Sequence, residues 1–318
     1  MTTETTAETR PGPAAPAGRP AAPAGRPAAP ARRRGGPLPA GVARRRAVAL
    51  GKHLVLIAVA LTMLYPLIWL VVSSFRPNDV IFRDQGLSLH GLTLDNYSNG
   101  WTALASPFGR YLWNSAILVF GAILGNLFSC SLAAYAFARL RFRGRKVLFE
   151  LMLGTIVLPI HVIIVPQYVL FSELNLLNTF LPLVLPKFLA TDAFFVFLMV
   201  QFIRGLPREL DEAAHIDGAG HPRIFLRIIL PLMTPALATT AIFTFIGTWN
   251  DFFGQLIYLT RESNQTAPLA LKTFVDAQSA SDFGGMFAMS VVSLLPLFLV
   301  FLFGQRWLLR GIATTGIR

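Results

Sequence analysis

The sequence predicts an all-α, polytopic helical membrane protein with six transmembrane helices, and three observations lead to this fold class. Hydrophobic residues make up 54% of the chain and charged residues only 14%, with a mean hydropathy of +0.56. A soluble domain carries about 25% charged residues, so most of this surface does not face water. Long apolar runs recur along the chain, and basic residues are concentrated in alternate loops between them. Helices are expected because an open sheet would leave backbone groups unpaired in lipid.

Residues 1–50 are expected to form a disordered, basic, Pro/Ala-rich cytoplasmic tail. In this stretch RPAAPAG is followed directly by RPAAPAR, and such a segment cannot bury enough apolar surface to offset its loss of conformational entropy. Ten Lys/Arg residues and only two acidic residues lie in residues 1–52, so most of the net charge of +12 belongs to the tail. A basic tail beside a membrane span is more typical of contact with membrane lipid than with nucleic acid. Residues 51–318 are predicted to form one transmembrane domain.

Six apolar segments in this domain are long enough, at about 1.5 Å per residue, to cross a hydrocarbon core about 30 Å thick. They cover residues 53–72, 112–138, 147–165, 181–203, 230–256 and 287–303. Prolines within or near them predict kinks, which membrane helices tolerate. The single cysteine, Cys130, lies inside the second segment and excludes an intrachain disulfide.

Basic residues in the loops predict the orientation of the chain. Residues 139–146 carry five basic residues and no acid, and residues 204–227 carry four arginines, whereas residues 168–180 carry no basic residue. Because cytoplasmic loops are enriched in Lys and Arg, both basic loops and both termini are expected in the cytoplasm. The chain is therefore expected to be a multi-pass protein of the cell membrane.

One of these cytoplasmic loops differs sharply from its apolar surroundings, since residues 209–220 read ELDEAAHIDGAG. Pro207 precedes a predicted short helix with three acids in its first turn, where the helix dipole favours them. Gly218 is expected to end this helix in a left-handed conformation. Small residues favour close approach to a protein groove. The alternative, a helix lying on the bilayer surface, would offer Trp, Phe or Leu instead.

The loop also carries a recognisable motif. Glu212-Ala213-Ala214 begins the pattern EAA-x3-G-x9-I-x-LP, which ends at Pro231. This pattern resembles the EAA loop of ABC importer permeases, and we call residues 207–231 the EAA segment. Five other stretches, SSFRPNDVIF, LTLDNY, YLWNSAIL, FARLRFRGRK and FIGTWNDF, resemble the carbohydrate-uptake branch that includes the smaller permease of maltose-type transporters. The resemblance covers residues 50–318 and implies a type I ABC importer permease architecture.

The resemblance implies a permease subunit of an ATP-driven importer, which translocates a sugar or oligosaccharide delivered by an extracytoplasmic sugar-binding protein. A second permease subunit would complete a heterodimer, and two ABC ATPase subunits would drive transport by gripping the helix at 209–218. The residues implied in ATPase coupling are Glu209, Glu212, Ala213, Ala214, Asp217 and Gly218.

The sequence itself contains no G-x-x-x-x-G-K-[ST] motif, so it offers no phosphate-binding loop for ATP. No cofactor is therefore expected in this chain, because ATP would be bound by the partner subunits. No catalytic residues are expected, and the chain is not predicted to be an enzyme. His215 and His221 share a loop, but their spacing is not a familiar ligand pattern, and no metal site is expected.

Polar side chains at membrane depth are candidates for the substrate path, because sugars are bound by planar polar groups and aromatic faces. The candidates are Asn114, Asn126, Trp249, Asn250 and Asp251. Ionisable groups are costly inside a membrane, so Asp192 is a further functional candidate, whereas Lys187 is expected to extend outward to the interface. The alternative that such side chains tie helices together or cap a kink stays open.

Three other functions are alternatives. A permease for a non-sugar solute, such as glycerol phosphate or an amino acid, would carry the same EAA segment. A secondary transporter that works without an ATPase predicts inverted repeats, and the sequence contains no convincing internal repeat. A membrane enzyme would need a cluster of titratable groups at one depth, and the sequence offers none.

Overall fold

The computed structural model describes residues 40–83, 86–87, 91–275 and 282–313, and within these ranges the chain is helical with no β-strand. The part of the predicted tail before residue 40 lies outside the described residues. The chain divides into two compact units, Met1–Ala60 and Leu61–Arg318. All the helices from Asn78 onward belong to the second unit.

The described α-helices are α1 (Ala40–Ser73), α2 (Asn78–Ile81), α3 (Asp95–Thr102), α4 (Phe108–Arg139), α5 (Arg145–Thr155), α6 (Ile160–Glu173), α7 (Leu181–Val184), α8 (Ala193–Arg204), α9 (Glu209–Ile216), α10 (His221–Ile224), α11 (Leu230–Leu232), α12 (Thr234–Asn250), α13 (Phe253–Tyr258), α14 (Ala267–Thr273) and α15 (Phe283–Ala313). Two 3-10 turns cover Leu185–Leu189 and Glu262–Asn264, and a π-helical turn covers Phe225–Ile229.

The first helix begins at Ala40, inside the segment predicted as tail. Pro39 is the last proline of that segment, and the run AGVARRRAVAL that follows is rich in Ala, Arg and Leu, which favour helix. Within the second unit, the apolar side chains of Leu61, Met63 and Tyr65 on α1 are exposed. Such a surface suits lipid or another apolar partner.

The number of membrane-spanning helices differs from the predicted six. Among the described residues, four helical stretches are long and apolar enough to cross a bilayer: Val48–Ser73, Phe108–Arg139, Leu181–Arg204 and Phe283–Arg306. A fifth crossing is possible if His221–Leu232 and Thr234–Asn250, which meet at an angle of 73°, form one bent span. The prediction of a polytopic helical protein is confirmed, but the count of six is not.

The predicted third span, residues 147–165, accounts for this difference. Its residues are divided between α5 and α6, which contain 11 and 14 residues, so neither helix is long enough to cross a membrane alone. The break lies just before Pro159, which lacks a backbone donor and disfavours helix at the preceding residue. The apolar composition of these residues predicted one continuous helix, but the helix is interrupted next to Pro159.

The long helix α4 is packed closely by the 3-10 turn Leu185–Leu189. Gly121, Gly125 and Ser129 repeat at every fourth residue of α4 and therefore share one face. A Cβ atom on Gly125 would lie 2.8 Å from the Phe188 ring and 3.0 Å from the Lys187 backbone. The Ser129 hydroxyl donates to the Lys187 carbonyl oxygen at 2.6 Å. Small side chains thus let two backbones approach at membrane depth, as in other membrane helix pairs.

Replacing Gly125 with alanine is expected to lower the free energy of unfolding by about 1–3 kcal/mol, because the added methyl group overpacks a rigid backbone contact. Gly247→Ala in α12 is the matched control, since a Cβ atom there meets nothing within 4 Å. The control should be neutral or slightly stabilising because alanine favours helix. Thermal unfolding of the two variants in detergent would test this, and equal midpoints would contradict the close packing.

Candidate functional site

The helix α9 forms the first part of the EAA segment, and its start follows from local sequence. It begins at Glu209, two residues after Pro207. The Arg208 carbonyl oxygen accepts the backbone N–H groups of Asp211 and Glu212 at 2.9 and 3.1 Å. Its first turn carries three carboxylates, which the positive end of the helix dipole stabilises. The predicted helix and its acidic first turn are both present.

The end of α9 is a tight left-handed turn centred on Gly218. Gly218 has a φ of +74°, a conformation that side-chain-bearing residues rarely adopt. Its N–H donates to the His215 carbonyl oxygen at 3.0 Å, and the Ala219 N–H donates to the Ala214 carbonyl oxygen at 2.9 Å. These two bonds form a Schellman motif, which satisfies carbonyl groups that the helix leaves open. The predicted glycine cap is confirmed.

The residues implied in coupling do not all face the same way. Ala214 is buried against the core of this chain, where it packs in one cluster with residues of α4 and α8. The other members of the set are exposed: Glu209, Glu212, Ala213, Asp217 and Gly218. Ile216 is 88% exposed on the same short helix. One side of α9 therefore packs against its own chain through Ala214. The other side exposes carboxylates and the aliphatic side chain of Ile216.

A buried ion pair fixes the start of α9 to the end of α4. The Nε atom of Arg139 lies 2.8 Å from Oδ2 of Asp211, and the two side chains are only 5% and 15% exposed. The Nη2 atom of Arg139 also donates to the Leu206 carbonyl oxygen at 2.9 Å. Removing one partner of such a pair leaves a buried charge, which typically costs about 3–5 kcal/mol.

Sequence reasoning missed this contact. It treated Asp211 as one of three equivalent first-turn acids and Arg139 as part of a basic loop. Arg139 and Asp211 are 72 residues apart in the sequence, so spacing gave no sign that they meet. The available signal was the position of Arg139 in the last turn of a long apolar helix, on the side of the membrane where the distribution of basic residues also predicted the acidic loop.

Two histidines lie at the other end of α9. The rings of His215 and His221 meet edge to face with centroids 5.1 Å apart. Nδ1 of His221 is 3.2 Å from the Tyr135 hydroxyl, and Nδ1 of His215 is 3.0 Å from the Ala219 carbonyl oxygen. Nowhere in the described residues do three His, Cys, Asp or Glu side chains form a group that could hold a metal ion. The histidines therefore serve hydrogen bonding and packing in this segment.

Beyond His221 the chain continues through an irregular helix. The π-helical turn Phe225–Ile229 is followed by α11 and by the 73° bend into α12. π-helical turns are rare and occur frequently at functional sites. Pro231 lies in α11 and lacks the N–H group that would continue a regular ladder. The EAA segment is thus joined to α12 through a bent connection and to α8 through the short turn after Arg204.

The fourth predicted span is also interrupted, between the 3-10 turn and α8. We call this interruption, residues 190–192, the polar break, and the paired side chains of Lys187 and Asp192 beside it the polar cluster. Ala190, between the 3-10 turn and α8, has a left-handed φ of +54°, which is uncommon for a residue with a side chain. Asp192 precedes α8, and its carboxylate oxygens lie 3.1 and 2.8 Å from Nζ of Lys187. The expectation that Lys187 extends outward to the interface is wrong, because the carboxylate across the break holds its ammonium group. The two side chains remain 28% and 26% exposed.

Asn126 joins this cluster to a third helix. Its amide nitrogen donates to Asp192 Oδ2 at 2.7 Å and to the Thr244 hydroxyl of α12 at 3.0 Å. The Asn126 side chain itself is fully buried. Asn126 therefore orients the Asp192 carboxylate from the buried side, whereas the Lys187–Asp192 pair itself remains partly exposed.

The other four path candidates are each tied to a different neighbour. Asn114 donates to the carbonyl oxygens of Ser263 and Gln265, at 3.1 and 2.8 Å. The indole N–H of Trp249 donates to the Ser293 carbonyl oxygen at 3.1 Å, and the side chain is buried.

Asn250 and Asp251 make local contacts at the end of α12. The Asn250 amide donates to the Ile246 carbonyl oxygen at 2.9 Å, and the Asp251 carboxylate accepts the Gly254 N–H at 2.9 Å as α13 begins. Of the five candidates, Asn126 alone is hydrogen-bonded to the polar cluster in these contacts.

Just before the fourth predicted span, Asn178 organises a contact between two loops. Asn178 has a left-handed φ of 60°. Its side-chain oxygen accepts the N–H groups of Thr260 and Arg261 at 2.8 and 2.7 Å. Nearby, burial raises the pKa of the Tyr258 phenol above its ordinary value. These contacts give the two loops a fixed arrangement.

The family model described as "Binding-protein-dependent transport system inner membrane component" matches residues 125–314. That range includes α9, its glycine cap and the polar break. The chain belongs to this family of transport permeases. The resemblance inferred from the EAA motif is therefore confirmed, and the chain is an inner membrane component that crosses the membrane more than once.

Relatives of known name cover most of this permease. The arabinooligosaccharides transport system permease protein AraQ of Halalkalibacterium halodurans is 34% identical over 82% of this chain and 93% of its own length. The sn-glycerol-3-phosphate transport system permease protein UgpE of Yersinia pestis bv. Antiqua is 33% identical over 85% of this chain and 98% of its own length. One relative is thus named for an oligosaccharide and the other for a phosphorylated triol.

A solved structure supports the fold independently. A chain of a bacterial ABC transporter involved in the import of the acidic polysaccharide alginate aligns with a TM-score of 0.72. The alignment covers 83% of this permease and 97% of that chain, at 23% sequence identity. The predicted ABC importer permease architecture is therefore confirmed at the level of the fold.

Replacing Gly218 with valine is expected to open the end of α9, because a β-branched residue is strained at positive φ. The Gly218 and Ala219 amides should then exchange their hydrogens faster. Gly220→Ala is the matched control, since φ there is −76° and a Cβ atom would lie 3.9 Å from its nearest neighbour. Hydrogen–deuterium exchange of the purified permease would measure both, and unchanged protection in the valine variant would contradict the motif.

Proposed function

We propose that this permease is one of two membrane subunits of an ATP-driven ABC importer, and that it translocates a sugar or oligosaccharide delivered by an extracytoplasmic binding protein. The observation that carries the proposal is α9, an exposed, capped and firmly seated helix that carries the EAA motif in a binding-protein-dependent family. A helix of this kind is built to be held by another protein.

Two ABC ATPase subunits are the proposed holders of this helix in the assembled importer. Nucleotide binding belongs to them, so the permease needs no cofactor and supplies no catalytic residues. Glu212, which is exposed, would pair with a basic or N–H donor in an ATPase groove, and Ala213 would allow close approach. ATP can shift the permease between states only by favouring one arrangement of the ATPase pair over another.

A second permease subunit is proposed because the polar cluster lies partly at the surface of this chain. Lys187 and Asp192 retain roughly a quarter of their side-chain exposure. Ionisable groups at membrane depth face a protein interior or a water-filled cavity rather than lipid. A related partner subunit would enclose this face, and the break in the fourth span would line the path between the two subunits.

The orientation proposed for the assembly places α9 in the cytoplasm. Both termini would then be cytoplasmic too, with the basic tail near anionic membrane lipid. The loops organised by Asn178 would face the binding protein on the other side. No nucleic-acid partner is proposed.

The solute is proposed to be an uncharged sugar. The Lys187–Asp192 pair is neutral overall, with Asn126 orienting the carboxylate. A carboxylate and an ammonium group side by side suit hydroxyl groups, which both donate and accept hydrogen bonds. The neighbouring Phe194 is exposed and offers an apolar face for a sugar ring.

Glycerol phosphate is the second candidate solute, because a relative named for its transport is 33% identical. Purification of the complete importer, followed by ATPase assays with its binding protein, would separate the candidates. Stimulation by a neutral saccharide supports the proposal. Stimulation by sn-glycerol-3-phosphate alone would overturn the sugar assignment, and purification without any ATPase would overturn the importer itself.

Reversing the charge of Glu212 with lysine is expected to abolish ATP-driven uptake while the permease still inserts into the membrane. Lysine could not accept a hydrogen bond from the donor proposed in the ATPase groove, and it would be repelled by a basic one. Glu150→Lys is the matched control, since Glu150 is an exposed carboxylate whose only described ion pair is a 3.9 Å contact with Lys146. Uptake by proteoliposomes measures both. Full uptake with lysine at position 212 would contradict the role of α9.

Replacing Asp192 with asparagine is expected to raise the solute concentration for half-maximal uptake about tenfold, since one lost hydrogen bond to a charged group is worth about 1.5–3 kcal/mol. Asp251→Asn is the control, because asparagine also accepts the helix-capping bond that Asp251 makes. Uptake titrations would compare the variants. If Asp251→Asn weakened uptake more than Asp192→Asn, the proposed path would be wrong.

A further inference from the structure

The cytoplasmic end of α4 holds the EAA segment at two points. Tyr135 and Arg139 lie four residues apart near the end of α4, so they project from the same face of the helix. Both side chains are buried. Arg139 contacts the start of the EAA segment, and Tyr135 contacts residues that follow α9.

Arg139 makes the first of these contacts. Its guanidinium group pairs with Asp211 in the first turn of α9. The same group donates to the carbonyl oxygens of Leu206 and Pro207 at 2.9 and 3.5 Å. Its donors form a fixed planar fork, so one side chain fixes both the connection from α8 and the first turn of α9.

Tyr135 makes the second contact, beyond the glycine cap. Its hydroxyl is 3.2 Å from His221 Nδ1 at the start of α10. Its ring also packs against Phe225 of the π-helical turn, with centroids 5.2 Å apart. Between the two contact points, Ala214 of α9 is buried in the same cluster as Ala134 and Ala138 of α4.

We propose that Arg139 and Tyr135 are positioning residues for energy coupling: they bind α4 to the start of α9 and to the residues just after its glycine cap, so that α4 and α9 move as one body. This inference rests on the proposed function, in which an ATPase displaces α9. Without these contacts, a displacement of α9 would be transmitted by the packing of Ala214 and by the chain connections to α8 and, through α10 and α11, to α12.

We call the contacts of Arg139 and Tyr135 with the EAA segment the grip. The grip also connects α9, through α4, to the polar break. Asn126 lies on α4, 13 residues before Arg139, which corresponds to about 20 Å along a helix. Asn126 is bonded to Asp192 before α8 and to Thr244 on α12. A movement of α4 therefore acts directly on the groups that line the proposed path.

The first test uses isosteric variants in the complete importer, Asp211→Asn and Tyr135→Phe. Each is expected to lower the amount of solute transported per ATP hydrolysed roughly tenfold, the change that about 1.4 kcal/mol of lost interaction produces. A merely structural role would lower transport and ATP hydrolysis in proportion and leave this ratio unchanged. Glu150→Gln, in the exposed pair with Lys146, is the control and should keep the normal ratio. A normal ratio in both isosteric variants would overturn the proposal.

The second test needs no variant of the grip. Spin labels at the exposed positions Arg141 and Leu210, in a Cys130→Ser background, report the distance between the end of α4 and α9. Pulsed electron paramagnetic resonance is expected to give the same distance with and without a trapped ATP analogue. A nucleotide-dependent change in an importer that still transports solute would overturn the grip while leaving the proposed function intact. Loss of all ATP-driven uptake in the unmodified importer would instead overturn both.

Discussion

The cost of placing a charge in hydrocarbon is the constraint on which the rest of this structure depends. It explains why Lys187 and Asp192 pair across the broken fourth span, and why the fully buried Asn126 is bonded to that pair. It also explains why the interrupted backbone near Ala190 packs against a small-residue face of α4, since irregular backbone at membrane depth must be covered by protein or line a cavity.

The helix α4 joins the two regions that matter most in this permease. Its C-terminal end binds the EAA segment through Arg139 and Tyr135. Its middle binds the polar break through Asn126 and Ser129. The continuous helix α4 therefore connects the two regions directly. The helix α8, which precedes α9, begins at the same break, and α12, which follows the EAA segment, is bonded to Asn126 beside it, so three helices meet there.

Much of this arrangement was predictable from local sequence, and the remainder was not. The left-handed Gly218, the acidic first turn of α9 and the helical class all follow from residue chemistry that acts within a few positions. The contacts of Arg139 with Asp211 and of Lys187 with Asp192 depend on how helices pack, which no single-sequence pattern reports. The third predicted span failed for a local reason, because apolar composition outweighed Pro159 in the prediction. The orientation of the chain and the identity of its solute depend on partners that local patterns do not describe.

The central claim is that α9 is seated in a groove of a nucleotide-hydrolysing subunit. A photo-crosslinking amino acid in place of Ile216, which is 88% exposed at the end of α9, tests this most directly in native membranes. The account predicts a crosslink to an ABC ATPase that depends on the intact EAA motif. Crosslinks to lipid alone, or labelling of position 216 from outside the cell, would contradict it.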